Sequence, residues 1–283
     1  MLPTFALDAA TWRVHDLERA TDFYRRLGFR ARPAGDVSVD LVPGGAARPD
    51  APAVLRLVSG PAAPVVEGRG AYHVALNVPE RRDLAATLHR VAADGTPVEG
   101  FADHLVSEAM YLPDADGHGL EFTWDRPREA WRYLGDALAI GTDPLDLQAL
   151  LAELGDDPER EPHVPEGTVL GHVHLFATDP AADARWYRDV LGMDEVVSFG
   201  PWGAFLAADG YHHHVGLRRG AGPTDPAHDH GLAEVEARVA DERYVALEGD
   251  EVDGSKVVFS PSGHRWRLRP LGPSTERPGA AVA

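Results

Sequence analysis

Val14–Phe29, VHDLERATDFYRRLGF, returns in altered form as Ala177–Met193, ATDPAADARWYRDVLGM. Asp16 falls on Asp179 and Phe23-Tyr24-Arg25 on Trp186-Tyr187-Arg188 at one offset, 163 residues (179 − 16 and 186 − 23); the second copy then runs one residue longer to its glycine. Each copy reads as an aspartate at a helix N-terminus, an amphipathic helix that turns its aromatic pair inward, and a glycine stop at Gly28 or Gly192. The chain is therefore built from two related halves.

Each half divides again. After Val78-Pro79-Glu80-Arg81, a helical stretch RDLAATLHRVAADG ends at Gly95, and strand-like segments run on to GLEFTW. After Gly231, LAEVEARVADERYVALEGD opens a more degenerate fourth unit that closes with VVFSPSGHRWRLRP. The pattern predicts an α+β fold of four units, each a strand, a helix and further strands. Expected boundaries are an N-terminal domain over 5–126 (modules one and two), a linker over 127–167, a C-terminal domain over 168–270 (modules three and four) and a disordered tail over 271–283. The linker holds one helical stretch, DPLDLQALLAEL, with Thr142 or Asp143 as cap and Pro144 in its first turn.

Composition narrows the chemistry. The 283 residues contain no cysteine, so disulfides, thiolate metal sites and cysteine nucleophiles are excluded, and any metal must be held by histidine, carboxylate or water. A formal net charge of −18 repels nucleic acid and anionic membranes and points to a small-molecule partner. No apolar run approaches a membrane span, and the N-terminus lacks a basic segment followed by an apolar one, so a cytoplasmic location is expected.

Two histidines stand at matching places in this frame. YHVAL of module two aligns with GHVHL of module three, which sets His73 against His172 on first strands. DGHGLEF aligns with DGYHHHV through Gly117 and Gly210, which sets Glu121 against His214. Modules one and four show no such set: Ala9 falls where His172 does, module four opens GLAEVEA, and Arg267 takes the glutamate position. A single strand histidine is more often a core residue than a ligand. Two at matching positions beside one carboxylate form a donor set for a metal. Asp16, Asp179, Tyr24 and Tyr187 read as cap and core, and His163, His228, His230 and His264, all in polar loops, as exposed.

With these motifs, DLERATDFYRRLGF, DHLVSEAMYLPDADGHGLEF, DRPREAW, GHVHL, WYRDVLGM and GYHHHVGL, the chain resembles the vicinal-oxygen-chelate superfamily. The likeness over about residues 5–270 is to two-domain extradiol enzymes of the catechol-2,3-dioxygenase type. It implies four βαβββ modules in tandem that form two half-barrel sites. The same fold hosts isomerases, dioxygenases, lyases and metal-free binding proteins, so fold alone does not set function.

The resemblance implies a site built from first and last strands of two paired modules. If module two faces module three, His73, Glu121 and His172 converge as two histidines and one carboxylate; if one pairs with two, the ligands are split. The facial triad suits Fe(II), with Mn(II) second, because it leaves positions for a catecholate and O2. His104 and Tyr111 stand where extradiol enzymes keep a histidine and a substrate-facing tyrosine, and His213 or His214 supplies a further acid-base group. The implied partners are a small aromatic substrate and O2, with no nucleic acid and no membrane, and with a homo-oligomer left open. Relatives follow the histidine triplet with Asn and Trp; here HHHVGLRRGAG supplies Arg218, Arg219 and Gly220. Arg218 is therefore a candidate for binding a substrate carboxylate. The alternatives are a glyoxalase-like isomerase or lyase in which His214 is a fourth ligand to Zn(II), Ni(II) or Co(II), and a resistance-type protein that binds an aromatic natural product without turnover.

Overall fold

The computed structural model describes residues 3–45, 50–60, 67–155, 162–223 and 231–272. Four βαβββ modules follow one another. The first is β1 (Phe5–Val14), α1 (Leu17–Arg26), β2 (Arg30–Gly35), β3 (Ser38–Val42) and β4 (Leu55–Ser59). The second is β5 (Ala71–Asn77), α2 (Arg81–Asp94), β6 (Gly100–Asp103), β7 (Ser107–Pro113) and β8 (Gly119–Asp125). Between the halves lie the short strands β9 (Tyr133–Leu134) and β10 (Ala137–Leu138) and the helix α3 (Leu147–Ala152). The third module is β11 (Val169–Ala177), α4 (Pro180–Leu191), β12 (Asp194–Ser198), β13 (Gly203–Ala207) and β14 (Val215–Arg219). The fourth is β15 (Gly231–Val239), α5 (Asp241–Ala246), β16 (Asp250–Val252), β17 (Ser255–Phe259) and β18 (Arg265–Pro270).

The repeated helices form for the reasons their sequences give. Asp16 accepts a hydrogen bond from the Arg19 N–H, and Asp179 accepts one from the Ala182 N–H, each satisfying a backbone donor that has no partner within the helix. Gly192 ends α4 in the left-handed region at φ 74°, where a side chain would be strained. Phe23, Tyr24 and Tyr187 turn into the core. In the linker, the helix starts later than its proline suggests. Asp146, not Thr142 or Asp143, caps α3 by accepting from the Ala149 N–H.

The modules pair across the halves. One eight-stranded sheet runs β12-β13-β14-β11-β5-β8-β7-β6, joining modules three and two; the other runs β16-β17-β18-β15-β1-β4-β3-β2, joining four and one. Val74 opposes Val173 at the centre of the first sheet, and this pair marks a local two-fold axis. His73 and His172 each precede it by one residue on their own strands. Bulges skip Tyr72 on β5 and Gly171 on β11, the residues just before the two histidines. A bulge re-aims the side chains around it, and here Tyr72 is 45% exposed while His73 beside it is buried. Val74, Leu76, Val173 and Leu175 fill the hydrophobic core behind the sheet.

Gly119 shows how tightly the inner strands meet. A Cβ there would lie 2.1 Å from the Tyr72 carbonyl oxygen, a backbone atom that cannot swing aside. Gly119→Ala should cost about 1–3 kcal/mol, the usual cost of overpacking, by urea denaturation. An unchanged denaturation midpoint would show that β5 and β8 can part without penalty.

Among the described residues no helix is long and apolar enough to cross a membrane. Residues 273–283, most of the segment read as a disordered tail, and His228 and His230 lie outside the described residues. His163 is exposed, as expected. His264 is not: it is 3% exposed, and its Nε2 donates to the Phe176 carbonyl at 2.7 Å. The turn SGH is itself packed into the fold, with Ser262 buried beside it.

Candidate active site

On neighbouring strands β11, β5 and β8, three side chains meet. His73 Nε2 and His172 Nε2 are 3.2 Å apart, and each lies 2.9 Å from Glu121 Oε2. All three residues are buried. Register sets this arrangement: Ala75 opposes His172 across β5–β11 and Glu121 across β5–β8, so the carboxylate stands two strands from His172 and one from His73.

The triangle fits a metal ion. Donor atoms bonded at roughly 2.1 Å to one ion sit roughly 3 Å from each other. Glu121 Oε2 has no hydrogen bond of proper angle to either ring, although both ring nitrogens are within reach. A buried carboxylate oxygen in that state costs free energy unless a cation shares it. Burial alone would raise the Glu121 pKa, but the charges of His73 and His172 outweigh it and hold the carboxyl well below its ordinary value. Burial keeps His172 low in pKa against the pull of Glu121, so its neutral ring has a lone pair to offer. The three residues form a His–Glu–His site able to hold a metal.

A proton-handling pair stands beside it. The His104 Nδ1–H donates to the Gly141 carbonyl at 2.7 Å, which in the neutral ring leaves Nε2 as acceptor for the Tyr111 hydroxyl at 2.6 Å. Tyr111 pairs directly with Glu121 across β7–β8, and His104 Nε2 is 3.9 Å from Glu121 Oε1. Burial first, and the Glu121 charge second, raise the Tyr111 pKa, so the phenol keeps its proton. Leu105, next to His104, takes the left-handed backbone at φ 69°, a strained conformation for a leucine that is held by the Asp103 carboxylate accepting from its N–H. Gly141 belongs to the segment between the halves, and nothing in its sequence marked it as the partner of His104.

The histidine triplet divides its members. His213 lies with its ring 4.1 Å from that of His172 and stacked on Phe205 at 4.4 Å. His212 Nε2–H donates to Asp125 Oδ1 at 3.1 Å, so its Nδ1 accepts from His213 Nδ1 at 2.8 Å. Tyr211 and Asn77 donate to the other oxygen of Asp125 at 2.6 and 2.8 Å. The Asp125–His212 pair thus fixes the His213 tautomer, with Nε2 as its free acceptor; sequence reading missed Asp125 and the linking role of His212. Burial first, then His172 and His212, press the His213 pKa well below its ordinary value.

His214 turns elsewhere. Its ring packs against Phe5 at 5.1 Å and Tyr211 at 4.7 Å, and its Nδ1 accepts from the Ala208 N–H at 3.2 Å. Burial, then His212, lower its pKa to about 3. The sequence alignment through Gly117 and Gly210 is off by two: Val74 pairs with Leu120 and Val173 with Val215, so the counterpart of Glu121 is Gly216, not His214. The loop between Gly210 and β14 is longer than its partner in module two. A side chain at Gly216 would collide with the His174 ring, its Cβ lying 2.9 Å from it.

The second sheet repeats the frame with different chemistry. Ala10 opposes Val235, so Ala9 and Glu234 take the two histidine positions, while Arg56 and Arg267 take the glutamate positions. Glu234, overlooked in the sequence, is a carboxylate at a ligand position, but Arg265 and Arg267 bind it at 2.6 and 2.8 Å. Arg56 bridges Asp40 and Glu236. Ion pairs occupy the place that the metal donors take in the first sheet. Arg218 sits at the exposed end of β14, its guanidinium 5.0 Å from the Tyr72 ring.

Comparison with known proteins agrees with this frame. The profile of the Glyoxalase/Bleomycin resistance protein/Dioxygenase superfamily matches residues 6–122 and 169–253. The chain is 37% identical over 228 residues to a catechol-2,3-dioxygenase of Bacillus subtilis (strain 168), 77% of each protein being covered. Among solved structures, glyoxalase I of Zea mays superposes with a TM-score of 0.54 at 14% identity, over 94% of this chain and 92% of that one. The cppA protein of Streptococcus pneumoniae superposes with a TM-score of 0.53 at 9% identity, over 95% and 99%. At such identities the two structures speak for the fold alone. The profile match in both halves and the catechol-2,3-dioxygenase relative, together with the four-module architecture, make this chain a member of the Glyoxalase/Bleomycin resistance protein/Dioxygenase superfamily.

Proposed function

We propose that the protein is an extradiol-type dioxygenase that cleaves a catechol-like aromatic ring with O2, and that His73, Glu121 and His172 hold its metal. The observation that carries this reading is the three-donor triangle with sides of 2.9, 2.9 and 3.2 Å, closed by protein on one side and bordered by acid-base groups on the other. Two histidines and one carboxylate leave about three positions of an octahedral ion for substrate and oxygen, and suit Fe(II) first and Mn(II) second. Bound there, the metal would bring catecholate and dioxygen onto one centre and lower the barrier to their reaction. The 37% identity to a catechol-2,3-dioxygenase supports the same chemistry.

The chain's own residues have separate tasks in this reading. His104 Nε2 accepts a proton from a substrate hydroxyl, oriented for it by the Gly141 carbonyl. Tyr111, a phenol that keeps its proton, turns its O–H from His104 Nε2 to a substrate oxygen, which frees Nε2 for its role as base. His213, held by Asp125 through His212, offers Nε2 as a hydrogen-bond acceptor beside His172. Phe205 and Tyr72 offer ring faces beside His213 and His73.

A glyoxalase-like isomerase using Zn(II), Ni(II) or Co(II) would need a fourth protein ligand from module three. The equivalent position is Gly216, and His214 is engaged with Ala208. His214→Phe should therefore keep the full metal content of wild type, measured by elemental analysis of anaerobically purified protein. Loss of metal from this variant would revive the four-ligand site. Function itself is tested by metal analysis of the wild-type protein with an oxygen-electrode screen of catechols. Iron together with oxygen uptake and a ring-cleaved product supports the proposal; bound metal with no uptake from any catechol leaves the aromatic-binding protein as the better account.

A further inference from the structure

An open cavity of about 1120 Å³ is lined by His174, a neighbour of the donor triangle through His73. Its walls are aromatic: His174, Phe205, Phe199 and Trp202 line it, and its rim carries Arg218 and Arg219. A run of ring contacts leads inward from the rim. Phe199 meets Phe205 at 5.2 Å, Phe205 meets His174 at 5.9 Å, and His174 meets His73 at 5.0 Å. Tyr72 belongs to the same surface, 5.5 Å from His174 and 5.0 Å from His73. Tyr72 and His174 thus flank His73 on the way from the triangle to the rim.

At that rim stands Arg218, its Cζ 5.0 Å from the Tyr72 centroid. Stacking on a ring holds a guanidinium in place and leaves the edge of its fork open to an anion. Arg32, Arg56, Arg265, Arg267 and Arg269 of the second sheet are tied to carboxylates, whereas Arg218 and Arg219 make no ion pair among the described residues. In a chain with 45 acidic and 27 basic residues, two such arginines on one cavity rim are a local reversal of sign. Exposed Trp202, 69% accessible, and Phe199, 48%, offer apolar surface with no protein partner covering it.

We infer that Arg218, stacked on Tyr72, selects aromatic substrates that carry a carboxylate on the side of the ring away from the two hydroxyls. The assignment rests on the proposed ring-cleaving function for the hydroxyl end and on the cavity for the carboxylate end. The carboxylate accepts two parallel N–H bonds from the Arg218 fork, and the aromatic ring packs along the cavity wall of His174 and Phe205. The bulge at Tyr72 serves this arrangement, since a regular strand would send that side chain to the opposite face.

The test compares 3,4-dihydroxybenzoate and 3,4-dihydroxyphenylacetate with catechol and 4-methylcatechol. In wild type the ratio of kcat/KM, carboxylated over uncharged, should be about ten- to a hundredfold, as a charge-assisted contact gives. Arg218→Gln should bring that ratio down to about one, and Arg218→Glu should turn the preference toward an aminoethyl catechol. A ratio near one in wild type, or a ratio unchanged in Arg218→Gln, overturns the inference. Calorimetric binding of the same four compounds without oxygen separates the two claims. If no catechol is consumed yet 3,4-dihydroxybenzoate binds more tightly than catechol in an Arg218-dependent way, the ring-cleaving reading fails and the carboxylate site stands. If catechols are consumed and binding ignores the carboxylate, the reverse holds.

Discussion

Glu121→Ala should produce a folded protein that binds no metal and consumes no oxygen. The carboxylate is the one acidic donor of the triangle, and without it a dication would face only two imidazoles 3.2 Å apart in a buried cleft. Outer partners of metal ligands typically cost roughly 10- to 100-fold in affinity when removed, and loss of a charged ligand costs more. Glu121→Gln separates charge from shape. It keeps an oxygen in the same place with no formal charge and should also fail to hold the metal at micromolar supply. Elemental analysis and oxygen uptake read both variants. Full metal occupancy in Glu121→Ala would show that the ion, if there is one, sits elsewhere.

His104→Ala should do the opposite: keep the metal and lose roughly two to four decades of rate, the usual effect of removing a proton-transfer group. His104 has no place in the donor triangle, since its Nε2 is bound to the Tyr111 hydroxyl at 2.6 Å. Tyr111→Phe should cost less, because it removes one hydrogen bond to a substrate oxygen and leaves the base intact. Equal loss of metal in His104→Ala and Glu121→Ala would mean that the two residues do one job.

Much of this architecture was legible in residues alone. Asp16 and Asp179 announced the repeat and do cap their helices, and the asymmetric distribution of His73, Glu121 and His172 already favoured pairing module two with module three, the pairing the sheets adopt. What escaped had a physical reason in each case. The bulges at Tyr72 and Gly171 are single-residue events with no composition of their own, yet they decide which side chains share the site face. The offset between His214 and Gly216 comes from an unequal loop, which alignment through a glycine cannot sense. His264 and His104 are fixed by carbonyls of Phe176 and Gly141, 88 and 37 residues away. Contacts of that range depend on the finished fold, not on a local pattern.

The pairing of modules across the halves also governs how the chain can reach this fold. β5 and β11 join residues about one hundred positions apart, as with His73 and His172 at a separation of 99. β1 and β15 join Phe5 to Val239, more than twice as far. Each doubling of a closing loop costs only about 0.6 kcal/mol, so the second closure is affordable once formed, but it must be searched for over most of the chain. On a ribosome, β1 has β4 on one side and nothing on the other until β15 has been made. An open strand edge of ten residues is then exposed until module four is made, and it can pair with another nascent chain. The arrangement that builds the donor triangle from adjacent modules therefore leaves the first and fourth modules to find each other last.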